Sequence, residues 1–264
     1  MSKIVSTIPL LGTMFLALAG CRAQPPALGP DDAQTMRHAA QDPQTLGELV
    51  YRGTVFDRST ADGPLFRYER RVHDGPAGTT STHLTLDPSG EPVVVQRAEH
   101  RDGYVLERFE SLQRQIGSRA SVEIAEDGGV SFSLTRGGST KVRTERAGTP
   151  VVVGPTLFGT VAHAWDALLR GDAKQVRFAD VERARTFPFT IRFESQTPET
   201  TAFSMVASSA LVRAVVPRMV MVFDNDTRRI LRYEGLVPPL RRHRGRLEPL
   251  DARVEYESVA ERYR

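Results

Sequence analysis

Apolar and polar residues alternate along most of the chain after residue 46, and this period of two constrains the fold more than any other feature. Between Phe187 and Phe193 every second residue is aromatic or aliphatic, and the residues between them are polar or proline. The stretches 65–72 and 130–134 alternate in the same way. Successive side chains of a strand point to opposite faces, so the pattern predicts strands with one buried face and one face toward water.

Similar segments supply further candidate strands, which are Leu49–Phe56, Thr80–Leu86, Val93–His100, Tyr104–Ser111, Ala120–Ala125, Lys141–Arg146, Gln175–Val181, Ala202–Ala207, Arg218–Asp224, Ile230–Tyr233 and Arg253–Val259. Turn-forming pairs such as Asp102-Gly103 and Gly137-Gly138 separate them. Short turns between successive strands predict an antiparallel meander of about ten or more strands. A content of 40% hydrophobic and 25% charged residues argues against a protein that crosses the membrane many times.

One segment has the period of a helix instead. Its apolar residues recur at three- and four-residue spacing, at Leu157, Val161, Trp165, Leu168 and Leu169. Thr156 can cap the start of this helix and Gly171 its end. The apolar face of a curved sheet must be covered. The sequence therefore predicts a mainly β fold, a half-barrel or open barrel of antiparallel strands covered by one amphipathic helix near 157–170.

The first twenty residues have the character of an export signal. Lys3 provides a positive start, and residues 4–20 are mostly apolar but are interrupted by Pro9. This run is short for a helix that spans a bilayer, which needs about 20 strongly apolar residues. We therefore interpret residues 1–20 as a signal peptide.

The apolar run ends in Leu18-Ala19-Gly20-Cys21, which resembles the lipobox of bacterial lipoproteins. The resemblance implies cleavage before Cys21, a diacylglyceryl thioether on its sulfur and an acylated amino group, with fatty acyl chains such as palmitate. Arg22 follows where Asp favours the inner membrane in that family, so the resemblance points to the outer membrane. The alternative is an ordinary signal peptidase, because Ala17-Leu18-Ala19 is an A-x-A site whose cleavage would leave a free thiol.

The mature chain divides into a tether and a domain. Residues 21–45 comprise the lipidated Cys21 and a segment rich in Pro, Ala, Gln and Asp without an apolar period, which predicts a flexible tether. A helical turn over Asp32–Gln41 would have little to pack against. Residues 46–264 form one β-rich domain. This order of anchor, tether, strands, helix and strands resembles the LolA/LolB-like half-barrel periplasmic carriers and similar exported domains, although no protruding apolar loop of the LolB type is identified.

Two groups of side chains are candidates for binding. The first could line a cavity for a hydrophobic ligand or, as the favoured interpretation, form a packed core, and it consists of Phe187, Phe189, Ile191, Phe193, Phe203, Met205 and Trp165. The second is the densest basic cluster, Arg241, Arg242, Arg244 and Arg246. A solvated loop is the ordinary interpretation of such a cluster, and docking to anionic head groups or an acidic partner is the functional one.

Other patterns mainly exclude functions. A formal net charge of +3 does not indicate nucleic acid as a partner. The single cysteine excludes an intrachain disulfide and a thiolate metal cluster. Asp224-Asn225-Asp226 resembles the start of a haloacid-dehalogenase-like phosphatase motif, but Arg228 departs from that motif and the residues suit a hairpin turn. We expect no catalytic residue, no metal and no cofactor.

These patterns together predict a lipid-anchored protein of the bacterial cell envelope, without enzymatic activity, that binds a hydrophobic ligand or a partner protein. The membrane is the expected partner through the acyl chains at the N-terminus. Two alternatives stay open: a structural or assembly lipoprotein that acts through its outer surface, and a hydrolase with an unrecognised site.

Overall fold

The computed structural model describes residues 26–60, 62–76, 78–214 and 216–259. Fifteen strands occupy most of this part of the chain: β1 (Glu48–Asp57), β2 (Phe66–Gly75), β3 (Gly78–Leu86), β4 (Pro92–Arg101), β5 (Val105–Gln113), β6 (Ser118–Ile124), β7 (Gly129–Arg136), β8 (Ser139–Arg146), β9 (Val151–Val152), β10 (Lys174–Asp180), β11 (Arg185–Gln196), β12 (Thr200–Ala207), β13 (Met219–Asp224), β14 (Ile230–His243) and β15 (Arg246–Ser258). Four helices accompany them: α1 (Pro30–Gln41), α2 (Gly154–His163), α3 (Trp165–Leu169) and α4 (Ala210–Arg213).

The fifteen strands form one sheet, in the order β8 to β1 followed by β15 to β9. Strands that are consecutive in the chain pair antiparallel within β1–β8 and β10–β15, and β1 pairs antiparallel with β15. The short strand β9 runs parallel to β10. Because β8 and β9 do not pair with each other, the described sheet is open. The predicted curved antiparallel sheet is confirmed.

Side chains connect the two ends of the open sheet. In the turn after β10, the Glu182 carboxylate accepts hydrogen bonds from Ser118 Oγ at 2.9 Å and from the guanidinium of Arg136. Glu145, on the edge strand β8, accepts a hydrogen bond at Oε1 from the backbone N–H of Thr186 on β11, at 2.8 Å. The sheet thus curls until its ends lie together, and polar side chains replace the backbone ladder that would close a barrel.

Two helices, rather than one, cover the inner face of the sheet. The predicted helix near 157–170 is divided at Ala164, where the backbone (φ −91°, ψ 6°) leaves the helical conformation. Thr156 lies inside the first turn of α2 instead of preceding it, and its Oγ1 accepts a hydrogen bond from Val153 N at 3.1 Å. Trp165 and Leu168 of α3 are both buried.

The space between these helices and the sheet is filled by side chains. Phe158 and Trp165 contact Phe223 from above, with ring centroids 6.3 and 5.7 Å from it. Trp165 also meets Phe203 edge to face at 5.0 Å. Such pairs contribute beyond the apolar area they bury. The inner face of β10–β15 therefore carries a packed aromatic core.

Helix α1 packs on the opposite face of the sheet. Its buried side chains Met36 and Ala39 join a cluster with Leu84, Val95 and Leu112 of β3–β5. Val95 and Ala98 are three residues apart on β4 and therefore point to opposite faces, and Ala98 belongs to a different cluster on the inner face. The expectation that a helical turn over Asp32–Gln41 would have little to pack against is wrong. Residues 30–41 of the predicted tether thus pack on the sheet. The boundary between tether and domain at residue 46 stays a prediction.

The hairpin of β14 and β15 is longer than predicted. The strand predicted over Ile230–Tyr233 continues to His243, and the pairing register with β15 shifts between Val237 and Leu240, where two prolines interrupt the hydrogen bonds. Arg244 and Gly245, with φ of 47° and 79°, form the tight turn. The basic cluster therefore lies at the tip of a hairpin, not in a loop.

Candidate functional site: an arginine-lined cleft beneath α2

The structure places the predicted hydrophobic site in the core. Five of its seven residues are buried: Trp165, Phe189, Ile191, Phe203 and Met205. Phe187 is half-buried, and Phe193 is 39% exposed at the edge of the same stripe. The buried members contact one another and the covering helices. This arrangement favours the interpretation of the stripe as core.

The four predicted surface arginines separate into two kinds. Arg241 Nη1 donates to Asp57 Oδ2 at 2.7 Å and to Ser59 Oγ at 2.6 Å, so it holds the hairpin to the end of β1. Burial alone would raise the pKa of Asp57, but the hydrogen bonds from Ser59 and Arg241 bring it below its ordinary value. Arg242, Arg244 and Arg246 are exposed at the hairpin tip.

Polar side chains form a row across the inner face of β1–β4. Tyr51 pairs with Arg70, Arg70 with His83, and His83 with Gln96, so the four residues are neighbours on adjacent strands. Residues at paired positions of neighbouring strands point to the same face of the sheet. Arg70 is fully buried, at 0% exposure. The row is thus a polar counterpart of the aromatic core on β10–β15.

Hydroxyl groups and an aromatic ring surround the Arg70 guanidinium. Its Nη1 donates to the Tyr51 hydroxyl at 3.4 Å, and its carbon Cζ lies 5.7 Å from the centroid of the Tyr51 ring. Its Nη2 donates to Ser81 Oγ at 3.0 Å, and Ser81 Oγ lies 2.9 Å from His100 Nε2. Both hydroxyl acceptors are neutral, and these two contacts fix the orientation of the guanidinium.

The titratable neighbours of Arg70 are held in their neutral forms. Burial, followed by the positive charge of Arg70, keeps the pKa of His83 well below its ordinary value. Burial likewise lowers the pKa of His100, and Arg70 contributes to that shift. Burial raises the pKa of Tyr68 and of Tyr256 well above the ordinary range. At neutral pH these four side chains are uncharged.

A cleft beside this row has three arginines in its wall. It encloses about 30 Å³, and its wall includes Arg70, Arg228 and Arg229 together with the apolar side chains of Val50, Phe158, Phe223 and Ile230. Arg228 also donates to Asp166 Oδ1 at 2.9 Å, and Arg229 donates to Ser258 Oγ at 2.7 Å. The wall of the cleft thus combines arginine side chains with apolar ones, and the charge of Arg228 is balanced by Asp166.

Helix α2 lies over this region because a glycine permits close approach. A Cβ at Gly159 would lie 2.1 Å from ring atoms of Tyr104, which occupies the space against the helix. The Tyr104 ring stacks on His100, with centroids 4.9 Å apart. Tyr104 itself has φ of 61°, a left-handed conformation that is uncommon for a residue with a side chain. This packing joins α2 to the polar row.

The sequence patterns did not identify Arg70 as a site residue, although they contained a signal. In β2, Tyr68 and Val72 occupy the apolar phase of the alternation, and Arg70 stands between them in the same phase. A charged residue on the buried face of a strand is rare unless it is paired or functional. The charged residue in the apolar phase of β2 was the sequence signal for this candidate site.

Ser81 and His100 are close enough for a hydrogen bond, as in a nucleophilic pair, but their placement does not suit catalysis. Ser81 is fully buried and His100 is 5% exposed. The wall of the arginine-lined cleft does not include Ser81. A nucleophile must reach the substrate, so this pair serves as support for Arg70.

No family model matches the sequence, and no curated protein matches it. Among solved structures, the chain is similar to a beta-barrel-like protein of domain of unknown function DUF1849 from Brucella abortus, with 12% sequence identity and a TM-score of 0.47, over 80% of this chain and 94% of that one. None of the helices in the described part of the chain has the length and apolarity needed to cross a bilayer.

Proposed function

We propose that this chain is a lipid-anchored protein of the bacterial cell envelope that binds, without enzymatic activity, the anionic head group of an amphiphile in the cleft beneath α2. The observation that carries the binding proposal is the placement of the buried Arg70 with Arg228 and Arg229 on the wall of one apolar cleft. The lipid anchor rests on the sequence Leu18-Ala19-Gly20-Cys21, which lies outside the described residues.

The chemistry of the cleft selects an anion. Guanidinium groups present planar pairs of N–H donors that match carboxylate and phosphate oxygens. Apolar walls lower the local dielectric constant, so the attraction between Arg70 and an anion is stronger there than in water. A neutral amphiphile would gain only the apolar contacts with Phe158, Phe223 and their neighbours.

The size of the cleft limits what enters it. About 30 Å³ accommodates one or two water-sized groups. A carboxylate or part of a phosphate fits this volume, whereas a whole acyl chain does not. The hydrophobic ligand expected from the sequence is therefore narrowed to an amphiphile whose head group enters and whose chain lies along the mouth of the cleft.

A binding experiment with matched probes tests this proposal. Decanoate and decyl phosphate share a chain length with the neutral decanol, and calorimetry compares their affinities for the purified protein. Arg229→Gln should weaken binding of both anions by about tenfold to a hundredfold, since a charge-assisted hydrogen bond contributes roughly 1.5–3 kcal/mol. Arg97→Gln, an exposed substitution on β4, should have no effect. Equal binding of decanol, or unchanged binding by Arg229→Gln, would contradict the proposal.

The anchor is tested separately. Acylation by two or three chains is needed for stable attachment, because a single myristoyl chain binds membranes only reversibly. Mass spectrometry of the mature N-terminus should find Cys21 carrying acyl groups, and Cys21→Ser should release the protein from the membrane fraction. An unmodified terminus at Gly20 would refute the anchor and leave the cleft proposal unaffected.

The filled interior favours a second candidate function. Because the space between α2–α3 and the sheet is packed with side chains, a structural or assembly lipoprotein acting through its outer surface is consistent with the fold. This candidate predicts that crosslinking in cells recovers a protein partner and that neither anionic amphiphile binds the cleft.

A further inference from the structure

We propose that the tip of the β14–β15 hairpin docks on anionic lipid head groups of the membrane that holds the acylated Cys21, and so orients the domain on the bilayer. The inference rests on the lipid anchor of the proposed function, but not on the arginine-lined cleft. The hairpin tip is defined as residues 242–246, which contain Arg242, Arg244 and Arg246.

The start of the described chain lies at the same rim of the sheet as this hairpin. Gly117, in the turn between β5 and β6, touches Pro26: a Cβ at Gly117 would lie 1.8 Å from the Pro26 carbonyl oxygen. Gln115, in the same turn, donates to the Leu240 carbonyl at 2.7 Å and accepts from Leu240 N at 2.8 Å. The chain therefore enters the domain beside β14, three residues before the strand ends at His243.

The anchor cannot be far from this rim. Pro26 is the fifth residue after Cys21, and five residues span at most about 17 Å even when fully extended. An acylated Cys21 lies at the level of the head groups. Whatever the arrangement of the residues between them, the rim that carries Pro26 and the hairpin tip is held close to the membrane.

The charge of the hairpin tip suits an anionic surface. Other arginines of this rim are neutralised by carboxylates: Arg114 pairs with Asp87 at 2.9 Å, and Arg241 pairs with Asp57 at 2.7 Å. Within the described part of the chain, no ion pair joins a carboxylate to the three arginines of the tip, which are exposed to solvent. The surplus positive charge of this rim is thus concentrated on the hairpin tip.

The opposite rim offers a matched reference point. The turn between β13 and β14 contains Asp226, which is exposed, and it lies at the other end of β14. A strand of 14 residues is roughly 45 Å long. If the hairpin tip touches the head groups and β14 points away from the bilayer, Asp226 lies far from the surface, well beyond the Debye length of about 8–10 Å at physiological salt.

Site-specific fluorescence on the acylated protein tests the docking. Cys21 is the only cysteine and its sulfur is occupied by the thioether, so a bimane dye attaches only to an introduced cysteine. The protein carrying His243→Cys or Asp226→Cys is reconstituted into vesicles of phosphatidylcholine, with or without phosphatidylglycerol, that contain a lipid with a nitroxide head group. We expect quenching of the dye at position 243 in phosphatidylglycerol vesicles and no quenching at position 226.

Charge substitutions make the test specific. Each basic residue near an anionic surface changes binding by roughly fivefold, so Arg242→Gln, Arg244→Gln and Arg246→Gln together should reduce docking on the order of a hundredfold and abolish the quenching. The control triple removes exposed arginines elsewhere: Arg97→Gln, Arg143→Gln and Arg192→Gln. Quenching that is equal in phosphatidylcholine vesicles, or that survives the hairpin triple, overturns the docking.

Flotation of the vesicles separates this inference from the anchor. Parent and hairpin triple should both float with phosphatidylcholine vesicles, because acyl chains hold them whatever the charge of the surface. Flotation without arginine-dependent quenching overturns the inference alone. Failure of the parent to float overturns the anchor and this inference with it.

Discussion

Replacing Phe203 distinguishes a packed core from a ligand cavity in the aromatic part of the sheet. Phe203 lies on β12 at 0% exposure, with its ring centroid 5.0 Å from Trp165 and 5.9 Å from Phe223. If these rings form a core, Phe203→Ala removes contacts that the rigid surroundings cannot replace. If they line a cavity, the substitution only enlarges a space that already exists.

The expected free-energy changes differ enough to be measured. Truncation of a fully buried Phe costs about 3–5 kcal/mol, because a cavity remains after the transfer free energy is lost. Phe193 belongs to the same stripe but is 39% exposed. Complete burial of a Phe side chain is worth about 1.5–3 kcal/mol, so Phe193→Ala should cost only about 1–2 kcal/mol. We therefore expect the costs of the two substitutions to differ by about 1–4 kcal/mol.

Equilibrium unfolding in urea, followed by circular dichroism, measures both changes on the same scale. Fluorescence of Trp165, the only tryptophan, provides a second probe in the core. An unchanged dependence of the free energy on urea concentration shows that the unfolded state is the same in each variant. A cost for Phe203→Ala no larger than that for Phe193→Ala, accompanied by binding of a hydrophobic dye, would refute the packed core and restore the cavity.

Three further predictions concern the polar row and the helices. The free energy of unfolding should fall by up to about 1.4 kcal/mol per pH unit as the pH decreases below 6.5, because His83 is protonated in the unfolded protein but stays neutral in the folded one. Urea denaturation at several pH values should show a smaller slope for His83→Gln and an unchanged slope for the exposed control His73→Gln. Gly159→Ala should destabilise the protein by about 1–3 kcal/mol. Thermal unfolding should show that the same substitution costs less in a Tyr104→Ala background, and an equal cost in both backgrounds would contradict the steric cause. Met36→Ala should lower the free energy of unfolding by about 2 kcal/mol or more if α1 is part of the fold. If residues 30–41 were a flexible tether, urea denaturation would show the same free energy of unfolding as the parent.

Most of the sheet could be predicted because its signal is local. Alternation within each strand and turn residues between strands are properties of a few consecutive residues, and they specify an antiparallel meander. The break at Ala164 carries no such signal, since the apolar spacing runs through it from Val161 to Trp165. The packing of α1 is also invisible, because its partners Leu84 and Val95 are distant in the sequence.

The same difference between local and long-range signals determined how much of the candidate site could be predicted. The basic hairpin was visible as a cluster in the sequence, but the ion pair that separates Arg241 from the other arginines joins it to Asp57, far away in the chain. The cleft was invisible because Arg228 and Arg229 come from the β13–β14 turn and Arg70 comes from β2. Only the pairing of β1 with β15 brings these segments together.

The two halves of the inner face have different physical roles, and α2 lies at their boundary. Phe158 of α2 packs on Phe223 and Tyr233 in the aromatic half, while Gly154, at the start of the same helix, approaches Gln96 of the polar row. A buried guanidinium costs free energy unless its surroundings compensate it, and an apolar residue of similar volume is often equally stabilising or better. Under the proposed function, the contribution of Arg70 to binding would outweigh this cost. Because α2 covers both halves, an anion bound beside Arg70 would lie next to the helix that also packs on the aromatic core.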